Sequence, residues 1–85
     1  MSQELYGVVF EEGGDTYLVA IFDRMSEAER EVERLEEDRY VREVEGGELA
    51  ESDYKPMYEI LEIDREGLDD SVFDRLERGL TVRIS

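Results

Sequence analysis

Residues 5–10 are almost all apolar, and alternation sorts them into two rows, Tyr6, Val8 and Phe10 on one side and Leu5, Gly7 and Val9 on the other. That two-residue period predicts a strand. Residues 16–22 repeat it, and Glu12-Gly13-Gly14-Asp15 between them supplies glycines that accept positive φ, so the two segments read as a hairpin. The second strand is apolar on both faces: Tyr17, Val19 and Ile21 on one, Leu18, Ala20 and Phe22 on the other.

The period then becomes helical. Ser26-Glu27-Ala28-Glu29 fits a capping box, in which the serine hydroxyl and the later glutamate serve each other's amides. Met25, Ala28, Val32 and Leu35 follow as a narrow apolar stripe that ends near Asp38 or Arg39. Residues 40–45 suit either a short edge strand or an extended connection. Residues 46–56 predict a long, acidic, mobile loop, and 57–63 a further strand. A second helix is expected over 68–78, opened by Asp69 or Asp70 and closed by Gly79, with Val72, Phe73, Leu76 and Leu80 on its buried side. Residues 80–85 alternate again, with Leu80, Val82 and Ile84 inward.

The expected fold is one α+β domain over residues 1–85. It has an antiparallel sheet of four to five strands and two helices on one face, in the ferredoxin-like (split βαβ) order with an extra N-terminal hairpin strand. Two helices on one face leave the other face of residues 16–22 bare. This predicts a homodimer packed sheet on sheet, with Leu18 and Phe22 in the contact; the alternative is that the N-terminus or the 46–56 loop covers that face.

Charge changes the picture of the surface. Asp plus Glu number 25 against 10 Lys plus Arg, a net charge of −15. Nine of those cations are Arg and one is Lys55; Asn is absent and Gln occurs once, at Gln3. This composition resembles that of haloarchaeal cytoplasmic proteins. Dense carboxylates hold water and hydrated cations in concentrated salt, which also screens their repulsion, and fewer lysine stems mean less apolar surface for salt to make adhesive. The resemblance implies a small acidic protein of a salt-loving microbe. The N-terminal Met1-Ser2-Gln3-Glu4 carries no positive targeting region, and the apolar runs fall short of the roughly 20 residues of a membrane span. A cytoplasmic location and no membrane partner are expected. Direct nucleic-acid binding is not expected either, because a surface at −15 repels phosphates.

The run Tyr17-Leu18-Val19-Ala20-Ile21-Phe22, then Ser26-Glu27-Ala28-Glu29 and Val32 to Leu35, is similar to the strand-to-helix join of small prokaryotic proteins, among them the SPOR domains that bind peptidoglycan. Ala20 stands where the SPOR pattern has a small Gly, and no SPOR function is carried over.

The chain has neither Cys nor His, which removes thiol chemistry, thiolate metal sites and the usual neutral-pH base. No catalytic residue, cofactor motif or metal-ligand set is identified. Asp70 and Asp74, at helical i,i+4 spacing, read as a cap and a solvated face. Asp64-Arg65-Glu66-Gly67 departs from calcium-loop register because its Gly stands fourth. The remaining candidates are Tyr54 and Met57, an aromatic and a thioether beside Pro56 in the acidic loop. They either anchor a partner or fold down onto the core. The expectation is a non-catalytic interaction or accessory protein whose partners are an unidentified protein and a second copy of itself. One alternative is a nucleic-acid mimic that uses the ridge Glu29, Glu33, Glu36 and Glu37. A carboxylate-based enzyme is the other.

Overall fold

The structure, a computed structural model, describes residues 4–84. Strands β1 (Glu4–Glu12) and β2 (Asp15–Phe22) form the expected hairpin. Gly13 and Gly14 take φ of 62° and 85°, the paired positive values of a two-residue turn whose twist matches its strands. Helix α1 (Met25–Tyr40), β3 (Tyr58–Asp64), helix α2 (Asp70–Glu77) and β4 (Val82–Arg83) follow. The sheet is antiparallel throughout, in the order β3-β1-β2-β4. β2 and β3 therefore run parallel with β1 between them, joined through α1 as one split βαβ unit. α2 instead links β3 to β4 at opposite edges of the sheet.

Residues 40–45 form no strand. Tyr40 closes α1, and Val41–Glu45 continue it as a π-helical turn, with Gly46 N–H donating to the Val41 carbonyl at 3.1 Å. Val41 and Val44 stand three residues apart, the spacing of one helix face and not of one strand face. The capping box does not form: α1 begins at Met25 with Arg24 at its N-cap, and the Arg24 carbonyl accepts from both Glu27 and Ala28 amides at 3.2 Å. The final strand is shorter than expected because Leu80 and Thr81 lie outside the ladder; Ser85 falls outside the described residues.

Register along the hairpin corrects the reading of β2. Val8 pairs with Ala20 but Val9 with Leu18, so Val19 is an extra, bulged residue. Paired residues share a face, which puts Leu18 and Ile21 with Val9, and Tyr17, Ala20 and Phe22 with Val8. Leu18 and Phe22, expected side by side, lie on opposite faces.

The two helices also separate. Val72 and Leu76 of α2 pack on Val9, Leu18 and Val82, one face of the sheet, together with Ile63 and Ile84. Val8 belongs to the other face and is wholly buried. Covering it is α1, which approaches β1, β2 and β3 and buries its own Ala28 completely. A right-handed β2–α1–β3 crossover places α1 on that side. Both rows of β2 are thus covered within one chain, and the bare face that implied a dimer is filled by a helix.

Candidate interaction surfaces

The loop after α1 is pinned down. A short 3₁₀ turn over Glu51–Asp53 brings Tyr54 back onto the helix, where its hydroxyl donates to the Glu36 carbonyl at 3.0 Å. The Tyr40 ring meets it edge-on, with centroids 5.1 Å apart. The Arg39 guanidinium lies 4.8 Å from the ring centroid on its face and donates to the Lys55 carbonyl at 2.7 Å. Glu36 turns inward to accept from the Met57 amide at 3.1 Å and sits 3.7 Å from Arg39. Glu43 Oε2, buried, lies 3.0 Å from Arg39 Nε without the alignment of a hydrogen bond. Burial first, then the Glu36 charge, pushes the Tyr54 hydroxyl above its ordinary range, with Arg39 pulling the other way. The Tyr40 hydroxyl is raised for the same first reason, and then by Glu51. At neutral pH both rings are protonated donors, suited to holding a loop rather than to nucleophilic work.

The four residues singled out in the sequence therefore do not form one surface. Tyr54 is half-buried in this clamp. Met57, also half-buried, lines a shallow groove with Arg39, Arg42 and Tyr58 on its far side. Leu18 is wholly buried beneath α2. Phe22 is half-buried on the α1 side, at the end of β2 where no further strand follows among the described residues. On the same face a Phe10 ring stacks on Tyr17 at 5.3 Å and meets Tyr58 edge-on at 5.9 Å, closing the hairpin end of the sheet.

Sequence reasoning missed a cleft on the opposite face. α2 has eight residues and is too short to roof the whole of its face of the sheet. A cleft of about 470 Å³ remains beside it, lined by Leu61, Ile63, Leu68, Val72, Val82 and Ile84. Leu61 is 44% exposed there although it faces the core side of the sheet. Glu62, Asp64 and Asp69 stand on the rim with Arg83. Partial alternation over 57–63 was the available signal, but only the shortness of α2 leaves Leu61 uncovered.

Other candidate chemistry is accounted for locally. The Asp64 carboxylate accepts from the Glu66 amide at 3.1 Å and ties a short 3₁₀ turn. Asp74 pairs with Arg78 at 3.3 Å, and Asp70 is 3.9 Å from Arg65. Of the acidic ridge, Glu29, Glu33 and Glu37 are exposed, whereas Glu36 serves the loop clamp. No helix among the described residues is long and apolar enough to cross a membrane. No protein-family model, curated protein or solved structure matches the chain. The class its own geometry defines is an α+β protein with a four-stranded open antiparallel sheet and two helices.

Proposed function

We propose that this chain is a non-catalytic interaction protein whose working surface is the apolar cleft beside α2. The observation that carries this reading is Leu61, 44% exposed in a cleft with five further aliphatic residues, in a molecule of net charge −15. An acidic surface of this kind disfavours apolar patches, and a retained one marks a contact. The partner is a protein presenting an aliphatic knob. Dimerisation through the sheet face loses its motive, since each row of β2 has a helix over it, and the cleft takes its place as the contact. The mimic reading has no observation in its favour: three carboxylates remain on the ridge, flanked by Arg30 and by Arg34 in its pair with Glu31. The acidity itself is read as adaptation to a salt-rich cytoplasm. The ferredoxin-like classification rests on the single split βαβ unit.

The test is a tagged pull-down from native host lysate in concentrated KCl, with mass spectrometry of the retained proteins. Wild type is expected to retain one stoichiometric partner, and the Leu61→Glu variant, altered at an exposed position, to lose it while keeping native circular dichroism. A partner retained equally by both chains would refute the cleft. Tyr54→Ala and Met57→Ala, tested alongside, report whether the loop contributes.

A further inference from the structure

We infer that the partner of the Leu61 cleft is a second copy of this chain, docked antiparallel along the outer edge of β3 so that the Leu61 of each copy meets the other; the inference rests on the reading of the cleft as a contact. β3 pairs along its whole length with β1, and no backbone hydrogen bond reaches its other side among the described residues. Its 7 residues therefore present an unused row of amides and carbonyls, a template for a further strand. The ladder to β1 is unbroken, and the strand holds no proline or lysine to blunt the edge. Only the carboxylates of Glu59, Glu62 and Asp64 restrict what pairs there, and they select a register.

Paired residues share a face, so a two-fold axis normal to the sheet must pass between equivalent residues of the two copies. An axis at Glu59 or Glu62 sets that glutamate against itself, and one at Ile63 sets Glu62 against Asp64. An axis at Ile60 pairs only Tyr58–Glu62 and runs the strand ends against Pro56, which has no amide to donate. The axis at Leu61, the middle residue of β3, pairs the whole strand and sets no carboxylate opposite another. Glu59 then faces Ile63 of the second copy, Ile60 faces Glu62, and Tyr58 faces Asp64. Leu61, 44% exposed on the α2 face, faces Leu61, so each cleft receives the aliphatic knob of the other copy. At the two ends Arg42, exposed and without an ion pair among the described residues, lines the groove beside Tyr58 and so lies on the side where Asp64 of the second copy arrives. The nearest like charges are the two Glu62 side chains, diagonal at about 7–8 Å. The screening length of about 3 Å in molar salt suppresses that repulsion, and the same salt favours burial of Leu61.

The test is sedimentation velocity in molar KCl, joined to cysteine crosslinking, which a chain without Cys leaves free of background. Wild type is expected to sediment as a dimer that tightens as KCl is raised. Leu61→Glu, which sets a glutamate against itself at the axis, is expected to weaken it at least tenfold with native circular dichroism, and Arg42→Glu to weaken it several-fold. Mild oxidation is expected to join Leu61→Cys chains, because residues paired directly across an antiparallel ladder stand within disulfide reach. Glu59→Cys chains are expected to stay apart, since the axis at Leu61 separates the two positions by about 13 Å along the strands. Equal crosslinking of both variants would show random collision and overturn the proposal, as would a dimer that Leu61→Glu leaves intact. A wild-type monomer at every concentration overturns it too, and leaves the cleft reading standing if a different protein is captured from lysate and lost on Leu61→Glu.

Discussion

At two glycines there is no room for a side chain, at one because of neighbouring side chains and at the other because of the backbone. Gly7 is buried in β1, and a Cβ there would stand 2.6 Å from Ile63 Cδ1 and 2.7 Å from Leu18 Cδ1. Both are side-chain ends, but they belong to the packed layer under α2, where overpacking costs about 1–3 kcal/mol. Gly46 has an ordinary φ of −74°, yet the π-helical turn brings the Arg42 carbonyl oxygen against the place its Cβ would occupy. Gly46→Ala must open that turn, while Gly67→Ala meets nothing within 4 Å. Urea denaturation is expected to show Gly7→Ala and Gly46→Ala destabilised by about 1–3 kcal/mol and Gly67→Ala within about 0.5 kcal/mol of wild type. Three equal midpoints would refute both accounts.

Among the elements, the 46–57 segment departs most from its sequence signature. Its acidic composition and glycines predict mobility, but Tyr54, Arg39 and Glu36 fasten it to α1 through contacts 16 to 21 residues apart in sequence. Tyr54→Phe removes the bond to the Glu36 carbonyl and is expected to cost about 1 kcal/mol, with faster hydrogen exchange at the Met57 amide. The same clamp gives a pH dependence. The raised Tyr54 hydroxyl keeps its proton to higher pH in the folded chain than in the unfolded chain, whose tyrosines titrate near about 10. The stabilisation is therefore complete below about pH 10 and is lost as pH rises through the folded-state value. Ultraviolet titration is expected to show one or two of the five tyrosines, Tyr54 and Tyr40, ionising late and together with loop release. Ionisation of Tyr54 with no delay past the unfolded-chain value would contradict the clamp.

For the whole molecule, charge sets the conditions of folding. The ion pairs of Arg34 with Glu31 and Asp38 and of Arg78 with Asp74 are exposed, and exposed pairs contribute little, so they offset few of the fifteen excess negative charges. Raising ionic strength from 0.1 M to 1 M shortens the screening length from about 10 Å to about 3 Å. The melting temperature followed by circular dichroism is expected to climb across that range of KCl. An unchanged melting temperature would count against the salt-adaptation reading. The apolar clefts behave oppositely to the ion pairs, since concentrated salt strengthens burial of Leu61 and its neighbours.

The hairpin, its two-glycine turn, α1, α2 with its stop at Gly79, and the strand before α2 were all legible in the chain, because each rests on local periodicity or on a φ that only glycine takes without cost. Acidity and the lack of Cys and His were equally plain. What needed the tertiary structure was everything that depends on partners distant in sequence. The bulge at Val19 is visible only against β1, and it moved Leu18 and Phe22 to opposite faces. The placement of one helix on each face followed from which strands they join, not from their stripes. Residues 40–45 read as an edge strand or an extended connection, but they prolong the helix before them, and the loop after them is fastened back onto that helix. The candidate surfaces were the least legible: a cleft exists where a helix is too short, and an open edge where the sheet stops. Both are properties of what the neighbouring elements fail to cover, and no residue in the lining carries that information by itself.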